Sequence, residues 1–280
     1  MTSDGRRVVV PHYWTPPEAG DASATEFWRT VIDVESGALL ATIPEKREHV
    51  RTSDTAACLV SQILTATDNQ TLYELCYWGG SYPLHPGPMV WVVDLEQAAV
   101  LDFMQDAALS GSYFGALAPD GQRLYVLTVS GQVVVVRLPD LTVEQVVALG
   151  EHGGPEHIQD YGGRAVFSPD GNLLYLNDRG DPETLYAIEL ATWQTVAQAR
   201  LAEGESVYNL ALSVDGSRLY VLSTSYPRGM QLSMWDTTTL SRQEVATMPE
   251  TVYMPARVLA VSLSPAAFTR LFPAAVSPSP

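Results

Sequence analysis

Positive charge is scarce in this sequence. Its 280 residues include 16 lysines and arginines against 32 acidic residues, for a net charge of −16, and the only lysine is Lys46. A nucleic-acid partner requires basic side chains that neutralise phosphates. An anionic membrane surface attracts clusters of basic residues in the same way. The sequence has no such cluster, so we expect neither partner.

Long apolar runs are also missing. No stretch reaches the 18 or more apolar residues that a membrane helix requires, which predicts no membrane insertion. The first residues, Met-Thr-Ser-Asp-Gly-Arg-Arg, lack the apolar segment of a signal peptide. Because the chain begins inside a repeat, the compartment stays open: cytoplasmic, or secreted or periplasmic if the N-terminus is incomplete.

Cysteine is rare, with two residues, Cys58 and Cys76. A hairpin turning at Asp68-Asn69 pairs Cys76 near Ser61, three residues from Cys58. That offset is roughly 10 Å along the strand, which is beyond the reach of a disulfide. The sequence therefore predicts two free thiols.

Several catalytic and cofactor signatures are absent. There is no Cys-x-x-Cys-His for haem attachment and no Gly-x-Ser-x-Gly around a serine nucleophile. A glycine-rich phosphate loop before a helix is also missing. We therefore predict no cofactor.

One short pattern recurs through the chain. An Asp-Gly or Asp-Asn pair is followed, four and five residues after the aspartate, by two apolar residues, which are Leu-Tyr in four of the five copies. The aspartates are Asp4, Asp68, Asp120, Asp170 and Asp215. Asp-Gly between apolar runs is a strong hairpin signal, because these residues tolerate a positive φ. Each copy continues with a third and a fourth strand, so each unit is a four-stranded meander, A to D.

Such a sheet has two apolar faces and is not stable alone. Stacking the sheets radially buries both faces, which predicts an all-β fold, a β-propeller of four-stranded antiparallel blades. A β-sandwich also has short, evenly spaced strands. Repetition of one turn followed by one apolar pair favours the propeller.

The pattern Pro-Asp-Gly-x-x-Leu-Tyr-Val, found at Pro119–Val126, together with a strand C ending such as Val92-Val93-Asp94, resembles the Tyr-Val-Thr-Asn (YVTN) type of propeller repeat. That family belongs to a wider group that includes amine dehydrogenase heavy chains and lactonase-like propellers. The resemblance covers most of the chain and implies an architecture rather than a chemistry.

The repeat also suggests how the propeller closes. The first unit lacks strand A, and residues 257–265 resemble a strand A with no complete unit after it. We favour five blades, with this terminal strand completing the first sheet. The alternative is an incomplete six- or seven-bladed ring. Residues 1–265 are predicted to form a single domain, and the Pro/Ser-rich residues 266–280 a disordered tail.

The meander places the A–B and C–D turns at one end of each sheet and the B–C and D–A loops at the other. The second set is long and irregular, and long loops on a rigid scaffold concentrate binding residues. All five histidines fall in these loops, which cover residues 11–27, 45–55, 77–89, 150–163, 177–184 and 223–230.

Candidate ligand-binding residues follow from this placement. The densest polar segment is residues 151–160, in which imidazole and carboxylate groups could bind a metal or transfer protons. Arginines in or beside the loops could hold a carboxylate. The candidates are His12, Arg51, His85, His152, Glu156, His157, Asp160, Arg164 and Arg179, with His152 and His157 as the metal candidates. Solvated loop residues and ordinary ion pairs are the simpler interpretation.

Three functions remain open. The first is a non-catalytic binding or interaction module that holds a small-molecule ligand or a partner protein at the long-loop end. The second is an enzyme of the lactonase or lyase type, with His152 or His157 near a carboxylate. The third is a structural subunit of an oxidoreductase, as the resemblance to amine dehydrogenase heavy chains implies.

Overall fold

The computed structural model describes residues 2, 4–14, 26–44, 59–77, 90–109, 112–128, 130–156, 165–178, 180, 182–225 and 229–247. Valine, tyrosine and threonine, which are enriched in strands, recur in the nineteen strands in this part of the chain. The strands are β1 (Arg7–Trp14), β2 (Glu26–Asp33), β3 (Leu39–Pro44), β4 (Leu59–Thr65), β5 (Thr71–Tyr77), β6 (Val90–Asp94), β7 (Ala99–Met104), β8 (Ser112–Leu117), β9 (Arg123–Thr128), β10 (Gln132–Arg137), β11 (Thr142–Ala148), β12 (Ala165–Phe167), β13 (Leu173–Asn177), β14 (Thr184–Glu189), β15 (Thr195–Arg200), β16 (Glu205–Leu212), β17 (Arg218–Ser225), β18 (Gly229–Asp236) and β19 (Arg242–Thr247).

The strands form five antiparallel sheets. Sheet 1 contains β1-β2-β3; sheets 2, 3, 4 and 5 each contain four consecutive strands, beginning with β4, β8, β12 and β16. The strands of sheets 2 to 5 are therefore A, B, C and D in chain order, and those of sheet 1 are B, C and D. The predicted all-β fold of four-stranded antiparallel sheets, the β-propeller type, is confirmed. The predicted strand at residues 257–265 and the tail at 266–280 lie outside the described residues, and the number of blades stays a prediction.

The chain divides into two compact units, residues 1–128 with 133–146, and residues 129–132 with 147–280. In the first unit, Val9 and Val31 of sheet 1 pack with Leu72 and Trp91 of sheet 2 in one buried cluster. A second cluster joins sheets 2 and 3. In the second unit, the cluster between sheets 4 and 5 includes Trp235. Among the described residues no helix is long and apolar enough to span a bilayer.

The A–B turns have the predicted geometry in all five copies. The residue after each aspartate has a positive φ, between 57° and 74°, and its amide donates to the carbonyl three residues earlier. Glycine adopts this conformation without strain, and asparagine tolerates it. The five residues are Gly5, Asn69, Gly121, Gly171 and Gly216.

Each C–D turn is hydrogen-bonded to the A–B turn of its own sheet. In each sheet, the amide of the residue directly after strand C donates a hydrogen bond. The acceptor is the carbonyl of the residue two positions after the turn aspartate. The five bonds run from Val34 to Arg6, Leu95 to Gln70, Leu138 to Gln122, Leu190 to Asn172 and Thr237 to Ser217, at 2.8–3.5 Å. The A–B and C–D turns therefore share one end of each sheet, the turn end, as the meander predicts.

The B–C and D–A connections meet at the opposite end, the loop end. In sheet 3 the amide of Leu149, after strand D, donates to the carbonyl of Gly131, between strands B and C, at 3.0 Å. In sheet 4 the amide of Leu201 donates to the carbonyl of Glu183 at 2.8 Å. Connections that are far apart in sequence thus lie side by side at this end.

Asp215, in the A–B turn of sheet 5, is expected to make the stability of the fold depend on acid. The Ser213 hydroxyl donates to Asp215 at 2.6 Å and, with Ser217, lowers the pKa of that carboxyl from 3.8 to about 2. Because the pKa in the folded state is the lower one, the stabilisation is complete above pH 4 and is lost as the pH falls towards 2. We expect Asp215→Asn to flatten the loss of stability between pH 4 and 2, measured by urea unfolding at each pH.

Ser213→Ala removes the hydroxyl donor and keeps the carboxylate, and we expect it to flatten the same pH interval. Two other turn aspartates, Asp4 and Asp170, contribute in the same way, because hydroxyl groups of Thr2 and Ser168 lower their pKa values. Part of the acid dependence therefore remains in both variants. An unchanged pH slope in both would contradict the assignment.

Candidate functional site

One position near the end of strand B can be compared between the five sheets. The residue eight positions after each turn aspartate is polar or a cysteine, and it lies within two residues of the end of strand B, towards the loop end. These residues are His12, Cys76, Thr128, Asp178 and Ser223. Two of them, Asp178 and Ser223, belong to the candidate site described below.

In sheet 1, the structure places His12 inside a strand rather than in a loop, which corrects the predicted loop at residues 11–27. The hairpin β1–β2 continues beyond it, and His12 pairs across the strands with Trp28. The two rings stack at 5.4 Å between centroids with an angle of 11° between their planes. His12 Nε2 is buried without a hydrogen-bond partner among the described residues. This histidine is held by its neighbour on the sheet.

In sheet 2, the prediction of two free thiols is wrong. Cys76 is disulfide-bonded and is 1% exposed. Its only possible partner within the chain is Cys58, which lies outside the described residues. A bulge at Ser61 shifts the pairing by one residue, so that Cys76 lies opposite Val60. Val60 is two residues from Cys58 in the sequence, whereas the unbulged register places Cys76 opposite Ser61, three residues away.

In sheet 4, Asp178 organises the B–C loop. Its Oδ1 accepts hydrogen bonds from the amides of Thr184, at 2.7 Å, and Gly180, at 3.2 Å. Its Oδ2 accepts from the Tyr186 hydroxyl at 2.9 Å. Burial and the bond to Asp178 raise the pKa of Tyr186 to about 12. The loop is thus held by one carboxylate with both oxygens engaged.

Glu183 joins the same loop to sheet 5. It is 4% exposed, and its Oε2 accepts hydrogen bonds from Asn177 Nδ2, at 3.0 Å, and from the amide of Val207 in β16, at 2.9 Å. A buried carboxylate is tolerated only when donors surround it. Glu183 therefore ties strand B of sheet 4, its B–C loop and strand A of sheet 5 into one polar network.

Sheet 5 adds a half-buried ion pair, whose carboxylate lies on the same strand as Val207, β16. Glu205, 3% exposed, accepts hydrogen bonds from both terminal nitrogens of Arg242, at 2.6 and 3.0 Å, and from the Ser223 hydroxyl at 2.5 Å. The guanidinium carbon of Arg242 lies 5.3 Å from the ring centroid of Trp235, within cation–π distance. Ser225 lies opposite Glu205 in the register of β16 and β17. Its hydroxyl is buried without a hydrogen-bond partner among the described residues.

His152 lies elsewhere in the second unit, in a short 3₁₀ helix (Leu149–His152). Its Nδ1 is 3.0 Å from Gln194 Nε2. Because an amide nitrogen can only donate, Nδ1 is the acceptor. The ring borders a groove of about 420 Å³ along strand β15, at the edge of sheet 4. Its partner is therefore an amide and not the carboxylate that the lactonase-like hypothesis requires.

Of the remaining candidates from the sequence, one lies among the described residues and six lie outside them. Glu156 is exposed, and its carbonyl packs so closely on Gly131 that a Cβ there would lie 2.5 Å from it. Arg51, His85, His157, Asp160, Arg164 and Arg179 lie outside the described residues. No group of three or more His, Cys, Asp or Glu side chains in the described part of the chain is placed to hold a metal ion.

The polar network of Asn177, Asp178, Glu183, Glu205, Ser223 and Arg242 was missed by sequence reasoning, and it is the candidate site. The spacing of eight residues from the turn aspartate could have identified Asp178 and Ser223. No local signal marks Glu183 or Glu205, because their partners come from other strands. The arrangement can orient donors and acceptors at the loop end of sheets 4 and 5.

Comparisons with known proteins identify the fold only. No family model matches the sequence, and no curated protein matches it. Among solved structures, hydrazine synthase from Kuenenia stuttgartiensis is similar, with a TM-score of 0.56 and 14% sequence identity. The alignment covers 81% of this chain and 62% of that one, so this chain spans less than two thirds of its neighbour. At this identity the likeness concerns the β-propeller architecture, and membership of the Tyr-Val-Thr-Asn repeat family stays a prediction.

Proposed function

We propose that this chain is a non-catalytic binding module that holds a ligand or a partner protein at the loop end of its sheets. The difference between the two ends of the sheets supports this proposal. The turn end repeats one hydrogen-bond pattern five times. At the loop end, the residue eight positions after the turn aspartate differs from sheet to sheet, and sheets 4 and 5 carry the polar side chains around Glu183 and Glu205.

A scaffold with uniform turns at one end and varied side chains at the other is typical of proteins that bind through loops. The carboxylates of Asp178, Glu183 and Glu205 hold the loop end of sheets 4 and 5 in place. Each of them engages backbone or side-chain donors, so the loops begin from rigid anchor points. Preorganisation of this kind lowers the entropic cost of binding. None of the described contacts of His152 supplies an acid–base pair, which favours binding over catalysis.

Charge reversal at each end tests the proposal. Glu203 is exposed in the D–A connection between β15 and β16, and Glu35 is exposed in the C–D turn of sheet 1. Glu203→Arg and Glu35→Arg change the net charge equally. In a library of small fragments screened by ligand-observed NMR, we expect fragments bound by the wild type to be lost with Glu203→Arg and retained with Glu35→Arg.

Two results would count against a binding module at this end. One is a set of fragments lost with Glu35→Arg and retained with Glu203→Arg. The other is turnover of a panel of lactones that His152→Ala abolishes, which would support the enzyme hypothesis instead. Circular dichroism and the melting temperature of each variant check that the fold is intact.

A further inference from the structure

A cavity of about 480 Å³ lies between sheets 4 and 5 at their turn end. Both sheets belong to the second compact unit. The cavity is lined by Tyr175, Ala187 and Ala197, which lie side by side on three neighbouring strands of sheet 4, and by the A–B turns of both sheets and the C–D turn of sheet 5. Small-molecule sites have volumes of roughly 300–1,000 Å³. The cavity is therefore large enough for a small ligand, and it is separate from the polar network at the loop end.

Comparison of the repeats explains why this space is open. Ala187 lies two positions before the end of strand C in sheet 4, and Thr237 directly follows strand C in sheet 5. Between sheets 1 and 2, and again between sheets 2 and 3, the equivalent positions hold a valine and a leucine that pack in one apolar cluster. These pairs are Val31 with Leu95 and Val92 with Leu138. Unfilled space lowers stability, and a ligand that occupies it stabilises the folded state.

Two carboxylates lie at the rim of the cavity. Asp170 and Asp215 are exposed and line it from the two A–B turns. These turns are in direct contact, because a Cβ at Gly216 would lie 2.6 Å from Pro169 Cδ. Burial raises the pKa of Tyr175 inside the cavity, and the negative charge of Asp170 adds to the increase. Asp170 is therefore close enough to influence a group bound there.

Both carboxylates are available to a cation. In the described part of the chain, Asp170 and Asp215 accept hydrogen bonds only from hydroxyl and amide groups of their own turns. These bonds lower both pKa values, so both groups are ionised at neutral pH. A carboxylate has about four acceptor sites, and none of the described residues that line the cavity is Lys, Arg or His. The rim is thus negatively charged with acceptor positions to spare.

We propose that this cavity binds a small organic ammonium ion, whose apolar body lies on Tyr175 and the two alanines while Asp170 and Asp215 attract its charge. The inference goes beyond the proposed function, because it assigns a second site at the opposite end of the sheets. Ca²⁺ and Mg²⁺ require more oxygen ligands than two aspartates supply, and the described residues contain no group of three or more potential metal ligands. The ammonium group belongs either to a free amine or to a lysine side chain of a peptide.

The probes are cyclohexylamine, which is protonated at neutral pH, and cyclohexanol, which has the same apolar body without the charge. Each is titrated into the isotope-labelled protein and followed by NMR. We expect cyclohexylamine to bind about 2- to 5-fold more tightly than cyclohexanol, and added salt to reduce this difference. Tighter binding of Nα-acetyl-lysine methylamide than of cyclohexylamine assigns the ammonium group to a peptide, and weaker binding assigns it to a free amine.

Two variants test the charge and the space separately. Asp215→Asn should weaken cyclohexylamine binding about 2- to 5-fold and leave cyclohexanol binding unchanged. Asp120→Asn, which neutralises the equivalent turn carboxylate of sheet 3, is the matched control and should bind both probes as the wild type does. Ala187→Val combined with Thr237→Leu installs the residues of the other repeats, and we expect it to weaken both probes by more than about 10-fold. Its melting temperature checks that the fold is intact.

The outcomes are independent of the loop-end proposal. If neither probe binds, if both bind equally, or if Asp215→Asn binds cyclohexylamine as tightly as the wild type, the inference is wrong. Undiminished binding by a folded Ala187→Val, Thr237→Leu variant also contradicts it. Glu203→Arg alters the loop end and should leave cyclohexylamine binding unchanged, so failure of one proposal is visible without failure of the other.

Discussion

Replacing Glu74 with leucine is expected to lower the free energy of unfolding by about 3–5 kcal/mol, whereas replacing Arg29 and Glu74 together is expected to cost little or nothing. Arg29 in β2 and Glu74 in β5 form an ion pair between sheets 1 and 2, with Arg29 Nε 2.8 and 2.9 Å from the two carboxylate oxygens. The two residues are 2% and 0% exposed. A single substitution leaves one buried charge uncompensated.

The other sheets have apolar residues at the positions equivalent to Arg29 and Glu74. The residues equivalent to Arg29 and Glu74 are Val90 and Val126 between sheets 2 and 3, and Leu185 and Val221 between sheets 4 and 5. Each equivalent pair lies within one apolar cluster. The repeat therefore accommodates apolar side chains here, and desolvation of two charges offsets most of their mutual attraction. Arg29 Nη1 is also buried without a partner among the described residues, which adds to the cost of the pair.

The experiment compares Glu74→Leu, Arg29→Met and the double variant by urea unfolding, followed by tryptophan fluorescence. We expect the double variant to lie within about 1 kcal/mol of the wild type, or to be more stable. Arg123→Met is the control, because Arg123 pairs with Glu144 at 2.8 Å on the surface and should contribute at most about 1 kcal/mol. A double variant that loses the sum of both single effects would contradict this account.

The second large effect is expected at the disulfide. Cys76→Ser should lower the free energy of unfolding by about 3 kcal/mol under oxidising conditions, because a cross-link to Cys58 closes a loop of nearly twenty residues in the unfolded chain. Chemical denaturation with and without reductant measures the difference. After reduction the wild type and the variant should have nearly equal stability.

Mass spectrometry of the intact chain provides the independent check. The wild type should gain alkylating label only after denaturation in the presence of reductant, since Cys76 is 1% exposed. Labelling of two thiols without reductant would restore the original prediction from the sequence. Equal stability of oxidised wild type and Cys76→Ser would show instead that the native hairpin gains nothing from the cross-link.

The repeated turn explains why much of the fold could be predicted from the sequence. Asp-Gly at Asp120 and Asp170 specifies its own local geometry, since only a few residue types accept a positive φ. The strands on either side follow from their apolar residues. By contrast, the bulge at Ser61 adds one residue to the pairing, and no glycine, proline, asparagine or aspartate in residues 57–64 marks it in the sequence. The error over the cysteines came from that single residue.

The candidate site was harder to predict for a related reason. Glu183 and Glu205 are buried because donors from Val207, Ser223 and Arg242 reach them, and these contacts join strands that local patterns treat separately. His12 was assigned to a loop because its hairpin was expected to end earlier. Arg29 and Glu74, however, could have been noticed, since aligning the repeats places charges where the other copies have valine or leucine.

The hydrogen bond between the C–D and A–B turns makes each four-stranded unit structurally self-sufficient at that end. Because each unit forms its own hydrogen bonds at the turn end, its connections at the loop end can become longer, shorter or different in sequence without disturbing the register of its strands. Gene duplication followed by divergence of those connections would thus yield new recognition surfaces on an unchanged frame. The same property makes the connections suitable positions for grafting foreign loops in protein engineering.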